Sequence, residues 1–275
     1  MKKFSVLLLI MLFAINTASA KIDRLSQEYL QSTNHFSITK PLAENIAQRA
    51  IKKALKKETG ANFDVKFDGY TTSSIKRGIF KNLEITGNDV TIDNLPVPYV
   101  HLHSITDYNY IDYTKNPLEY KSDMTFGYEV ELSDETVNAA LKDSDYSKII
   151  AKVNKIASPV FVVKGVRTKI LNNRMYIVTD YNFPIVKAAK DKSFVASSDF
   201  QVVNGKIRAK NVNIDSVYGN LGLDKVANLI NYLNPLEFTL DSLNDENLNG
   251  IIENVNIVDN KVKVNGKIYV KATNK

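Results

Sequence analysis

The chain has 275 residues, 36 Lys and Arg against 30 Asp and Glu for a net charge of +6, 44% hydrophobic residues, and neither cysteine nor tryptophan. Its cations are scattered apart from RAIKKALKK at 49–57, whereas a nucleic-acid binder gathers them and interleaves aromatics, so nucleic acid is not an expected partner. Without cysteine there is no disulfide framework and no thiol to carry a lipid anchor.

The first twenty residues, MKKFSVLLLIMLFAINTASA, have two lysines, an apolar run from Phe4 to Ile15 and small residues at Ala18 and Ala20. This is the pattern of a secretory signal peptide over 1–20, cleaved after Ala20. No other stretch reaches the 18 apolar residues of a membrane span, and an exported chain without disulfides suggests a periplasmic or otherwise extracytoplasmic bacterial envelope protein. Cleavage removes Lys2 and Lys3 and no acid, leaving 34 basic against 30 acidic residues and a charge of +4.

Residues 21–39 are polar and read as a flexible lead-in. The rest, 40–275, reads as one domain, or as two similar halves meeting near 145–158. From Pro41, Leu42, Ile46, Ala50, Ile51, Ala54 and Leu55 recur at helical spacing and predict one apolar face. Arg49, Lys52, Lys53, Lys56 and Lys57 lie elsewhere around the helix, Pro41 suits its first turn and Gly60 its exit. After Gly60 the period becomes two: Phe63, Val65 and Phe67, then Leu83 and Ile85, Val90 and Ile92, Val100 and Leu102, with Gly87-Asn88-Asp89 and Asn94 read as turns. Pro96 and Pro98 predict an edge or a bend.

FGYEVEL then runs into SDETVNAALKD, a helix start in the middle of a strand-rich chain. Ser133 suits the cap, Asp134 and Glu135 the first turn, and Leu132 a staple onto Val137. Val137, Ala140 and Leu141 form a face of barely two turns, so this helix must dock on something large and apolar. A further helix follows through Tyr146, Ile149, Ile150, Val153 and Ile156, stopped by Pro159. Hairpins are predicted at Asn172-Asn173, Asn204-Gly205 and Asp259-Asn260, with a helix through Leu223, Val226, Leu229, Ile230 and Leu233 before Pro235. The order is helix, meander, short helices, meander, helix, hairpin, which argues α+β with antiparallel sheets rather than a doubly wound parallel sheet.

Chemistry-bearing patterns are sparse. His101 and His103 share one strand face, a spacing metal sites use, but the remaining histidine, His35, lies in the lead-in and no further ligand suggests itself, so a solvated face is the preferred reading. Asp245, Asn247, Asn249 and Gly250 match the first half of a calcium loop, yet Asn256 replaces its bidentate glutamate and a strand follows, so a polar loop is preferred. No nucleophile elbow, P-loop, Rossmann or zincin motif occurs. Neither catalytic residues, nor a cofactor, nor a metal is expected, with an unorthodox hydrolase as the weakest alternative.

AENIAQRAIKKALKKETGANFDVKF, FKNLEITGNDVTIDNLPVPYVHLHSI, ELSDETVNAAL, LDKVANLINYLNPLEFTL and ENVNIVDNKVKVNG, taken in order from about Leu42 to Val270, resemble the LmeA-like phospholipid-binding family, similar to tubular lipid-binding (TULIP) domains. The resemblance implies a strongly curved antiparallel sheet wrapped around a long amphipathic helix, with short additional helices and an apolar groove for acyl chains. The expected function is an exported carrier or holder of phospholipid or a lipid-linked precursor; the alternative is a packed envelope adaptor whose exposed edge near Pro96 and Pro98 binds a partner chain. Phe63, Val65, Phe67, Leu83, Ile85, Val100, Leu229 and Leu233 are the expected apolar interior. Lys52, Lys53, Lys56 and Lys57 are expected to meet head groups or a membrane surface.

Overall fold

The computed structural model describes residues 25–33, 38–92, 94–115, 118–157, 162–182, 192–215, 232–234, 236 and 248–273. Helices are α1 (Gln27–Ser32), α2 (Lys40–Thr59), α3 (Thr72–Lys76), α4 (Asp134–Ala140) and α5 (Ser144–Ala157). Strands are β1 (Asp64–Asp68), β2 (Ile79–Phe80), β3 (Asn82–Ile92), β4 (Leu95–Ser104), β5 (Asn109–Asp112), β6 (Glu119–Tyr120), β7 (Met124–Leu132), β8 (Val162–Leu171), β9 (Arg174–Asn182), β10 (Lys192–Val203), β11 (Lys206–Asp215), β12 (Leu248–Val258) and β13 (Lys261–Val270). They form a six-stranded sheet in the order β1-β3-β4-β7-β13-β12, a four-stranded sheet β11-β10-β9-β8 and a small sheet β2-β5-β6. Every described strand pair is antiparallel, so the α+β antiparallel reading holds.

The predicted hairpins form as their turn chemistry requires. Asn172 and Asn173, Asn204 and Gly205, and Asp259 and Asn260 all take positive φ, the conformation of a two-residue turn that follows the strand twist. The C-terminal hairpin β12–β13 does not extend the second sheet: β13 pairs with β7, returning the end of the chain to the first sheet. The tips of β8–β9 and β12–β13 then meet, Asn173 N donating to Asn260 Oδ1 at 3.2 Å and Asn260 N to Asn173 Oδ1 at 3.1 Å.

Four local readings change. Gly87-Asn88-Asp89 is no turn, because β3 passes through it with unbroken register against β4. A Cβ on Gly87 would lie 2.7 Å from the Phe63 ring, so the glycine makes room for an aromatic. Pro96 and Pro98 lie in a strand paired on both sides over most of its length, but β7 pairs β4 only from Tyr99 to Ser104. At the proline end α4 takes the place of β7, and Thr136 Oγ1 donates to Pro96 O. The edge expected there to receive a partner chain is therefore covered by the protein's own helix. The lead-in 21–39 contains α1, capped by Ser26, whose Leu30 is buried with Tyr70 and Ile79. The polar loop preferred over 245–256 is also overturned in part, since Leu248–Val258 is strand β12; Asp245 and Asn247 lie outside the described residues.

α4 answers what a two-turn helix does in this chain. Ser133 Oγ accepts Thr136 N at 3.1 Å, and Thr136 Oγ1 accepts Ser133 N at 3.1 Å, a reciprocal cap built on threonine. Val137, Ala140 and Leu141 are buried, and the helix packs on β4 and β7 of one sheet and β8 of the other. Asn138 fixes the join: Nδ2 donates to Thr168 O at 2.8 Å and Oδ1 accepts Thr168 N at 2.7 Å. Asn154 of α5 repeats the device on Val163, with bonds of 2.9 and 2.7 Å. β8 is an edge strand, and these two amides occupy backbone groups that a neighbouring strand would otherwise use.

Candidate functional site

Inward-facing side chains of both large sheets form one continuous apolar cluster. Phe63, Val65 and Phe67 on and before β1, Leu83 and Ile85 on β3 and Val100 on β4 are all buried in it, beside Ile51 and Leu55 of α2. Six of the eight residues expected to form the apolar interior are thus brought together. Leu233 is buried in a separate small cluster with Val153 and Val163, where its carbonyl accepts a 2.7 Å bond from the Tyr146 hydroxyl. Leu229 lies outside the described residues.

Closure is uneven along this interior. Around β1, β3 and β4 the named residues are covered by their neighbours. Farther along, Ile149 and Ile150 of α5, Val202 of β10, Val212 and Ile214 of β11 and Ile252 of β12 pack against the cluster while keeping part of their surface uncovered. β12 runs against β10 and β11, so Val202, Val212, Ile214 and Ile252 stand on the strands where the two large sheets approach one another, whereas Ile149 and Ile150 belong to the helix that packs on β8. Sequence reasoning missed these half-covered strand positions, because half-burial and full burial leave the same period-two alternation.

Among the described residues the large buried side chains are apolar or aromatic, and the buried polar ones are Ser, Thr and Asn. Thr179 Oγ1 and the Tyr128 hydroxyl lie inside without a hydrogen-bond partner, and burial pushes the Tyr128 phenol up to about 12. The Tyr128 ring spans the gap left by Gly266, its partner across β7–β13.

The outer face of the six-stranded sheet carries the charges. Glu131 accepts from Lys261 at 2.9 Å and Lys263 at 2.8 Å, and these bonds hold its carboxyl below the usual range. His101 and His103 stack with ring centroids 5.2 Å apart, and His101 Nε2 stands 3.5 Å from Glu84 Oε1. Burial, helped by the neighbouring His101, lowers the pKa of His103. Among the described residues no group of three His, Cys, Asp or Glu side chains converges as a metal site. The histidine pair packs instead: His103 fills the space above Gly127, where a Cβ would meet its ring at 2.5 Å.

The lysines of α2 separate. Lys52 is half-buried and turned to Asp64 of β1 at 3.2 Å, whereas Lys53, Lys56 and Lys57 are exposed, as is Arg49. Leu42 and Ile46, expected on the buried face with Ile51 and Leu55, point outward and are exposed. The chain matches no family model, no curated protein and no solved structure. Among the described residues no helix is long and apolar enough to cross a membrane.

Proposed function

We propose that the chain is a non-catalytic, exported lipid-binding protein that holds an acyl lipid, such as a phospholipid or lipid-linked precursor, in the bacterial cell envelope. The observation that carries this reading is the half-covered aliphatic positions Val202, Val212, Ile214 and Ile252 on β10, β11 and β12, each packed against the closed core. An acyl chain laid there gains roughly 0.8 kcal/mol for each methylene withdrawn from water. It needs no charged specificity site, in keeping with the apolar and aromatic side chains buried inside. The order of LmeA-like blocks supports the same reading, and with it the finer architecture of a curved sheet wrapped around α2. The wrapped-helix arrangement draws further support from α2, which lies along β1 and feeds Ile51 and Leu55 into the shared interior.

A second reading, an envelope adaptor with a packed core, is favoured by the close burial of Phe63, Val65, Phe67, Leu83, Ile85 and Val100. Mass spectrometry of an organic extract from the mature chain, Lys21 to Lys275, purified without detergent, separates the two. The carrier reading expects a stoichiometric lipid in the wild type and its loss in Val212→Asp/Ile252→Asp, with circular dichroism unchanged. A folded wild type free of lipid overturns it and leaves the adaptor.

A further inference from the structure

α2 carries a second apolar row that the fold does not use. Leu42 and Ile46 stand four apart on it and are 64% and 45% exposed, and Ile38, in the turn just before the helix, is 88% exposed. At about 100° per residue, Arg49, Lys53, Lys56 and Lys57 fall within the same outward arc of roughly 100°, while Ile51 and Leu55 face the core. The outer face is thus aliphatic in its first half and cationic in its second, along roughly 22 Å from Leu42 to Lys57 at helical rise. Single exposed aliphatics need no explanation, but a contiguous row beside a block of one charge marks an interaction surface.

We propose that this face lies on an anionic bilayer surface, with Ile38, Leu42 and Ile46 among the upper acyl carbons and Arg49, Lys53, Lys56 and Lys57 against lipid phosphates. Charge complementarity selects the occupant. Protein interfaces deplete lysine and favour aromatics, whereas an aliphatic row joined to a polybasic one is the composition of a helix lying in the membrane interface. Long lysine stems can cover the apolar boundary while their ammonium groups stay at the head groups. Among the described residues none of the four cations is engaged in an ion pair. Lys52 takes no part, being held by Asp64. The proposal deepens the lipid-holding reading, on which it rests for its biological sense, by naming where the protein meets the membrane that donates or receives lipid.

The test is flotation of the mature chain with vesicles of phosphatidylcholine alone and mixed with phosphatidylglycerol, at low salt. Wild type is expected on the mixed vesicles and off the neutral ones, and to be released by high salt. Each basic residue at an anionic surface multiplies partitioning by about five, so Lys53→Gln/Lys56→Gln/Lys57→Gln should lower it roughly 100-fold. Leu42→Ser/Ile46→Ser should lower it by at least about 10-fold through lost apolar contact. The same charge removed elsewhere, at the exposed Lys115, Lys164 and Lys210, should change it far less. All of these side chains are exposed, and circular dichroism confirms the fold of each variant. A wild type that stays off mixed vesicles overturns the proposal and gives the face to a protein partner; equal losses from the α2 and control triples overturn it in favour of unspecific charge. Lipid in the organic extract without vesicle binding overturns docking alone. Vesicle binding without extracted lipid leaves docking standing and removes the lipid-holding reading.

Discussion

Asn138 ties α4 to the edge strand β8 through a single side chain, and its removal has a calculable consequence. Asn138→Ala deletes the bonds of 2.8 and 2.7 Å to Thr168 O and N, on a residue that is itself buried. Each lost bond forfeits about 1 kcal/mol net, and a backbone group left without a partner away from water costs about 1–3 kcal/mol, so the expected loss is about 2–4 kcal/mol. With a denaturant slope of about 3 kcal/mol per molar urea for a chain of this size, the unfolding midpoint should fall by roughly 1 M. Asn138→Asp sharpens the test. Its carboxylate can still accept from Thr168 N but opposes Thr168 O; its protonated form can donate to that oxygen. The introduced carboxyl should therefore have a folded-state pKa above its unfolded value of about 3.9, and the native state should bind the extra proton between the two. Stability then falls as pH rises through that window, so the deficit of this variant against wild type is smaller near pH 4 than at pH 7. Asn154→Ala should add independently, since Val163 and Thr168 are about 16 Å apart along β8. A midpoint shift from Asn138→Ala equivalent to less than about 0.5 kcal/mol, or a deficit in Asn138→Asp that does not shrink in acid, would show that water or a strand rearrangement satisfies β8 and that the clamp is not structural.

Gly127→Ala should cost less than about 1 kcal/mol, because the new methyl meets only the ring tip of the exposed His103, which can turn away; a larger loss in urea melts would mean that the ring is held in place above Gly127. Leu30→Ala should cost about 2–5 kcal/mol and lower amide-exchange protection in α1, since Leu30 is buried with Tyr70 and Ile79; unchanged protection would mean that α1 is not held by this contact. NMR titration of His103 should give a midpoint below 6.5, the direction set first by burial. Because the unfolded chain takes that proton first as pH falls, the contribution of His103 to stability is full above about pH 6.5. It is lost as pH falls through the lower folded pKa, and His103→Phe should remove that part of the acid sensitivity.

What was legible in the sequence was whatever one short stretch determines by itself. Asn172-Asn173, Asn204-Gly205 and Asp259-Asn260 formed hairpin turns because positive φ at two successive positions has few other users. Ser133 capped α4 because a side-chain oxygen next to free helix N–H groups needs no distant help. Gly87 misled for the opposite reason, and Pro96, which does mark a sheet edge, did not show what covers it. Glycine can mean a turn or the absence of a side chain, and only the Phe63 ring, from the segment leading into β1, decides between them. Proline can mean an outer strand or a strand end covered by something other than a strand, and only α4 docking decides that. Asn138 and Asn154 read as ordinary polar positions on helices, since nothing in their own neighbourhood announces that each faces an unpaired strand edge.

The two apolar rows of α2 show how a candidate surface is lost between period and face. Leu42, Ile46, Ala50 and Ala54 are four residues apart and appear to continue one stripe, yet each step of four advances about 40° around the helix. Three steps rotate the row by about 120°, so a stripe that begins at Leu42 on the outside has turned well toward the core by Ala54. Ile51 and Leu55 belong to a different row, directed at β1 and β3 and fully buried. A single amphipathic face would have placed the cations opposite every aliphatic residue. The observed twist instead brings Arg49, Lys53, Lys56 and Lys57 onto the arc of Leu42 and Ile46, so one helix presents a closed face to its own core and an apolar, cationic face outward. Reversing the outer charge with Lys53→Glu/Lys56→Glu should consequently leave the core packing of α2 untouched while abolishing its attraction to anionic vesicles, since the two faces share a backbone but no side chain.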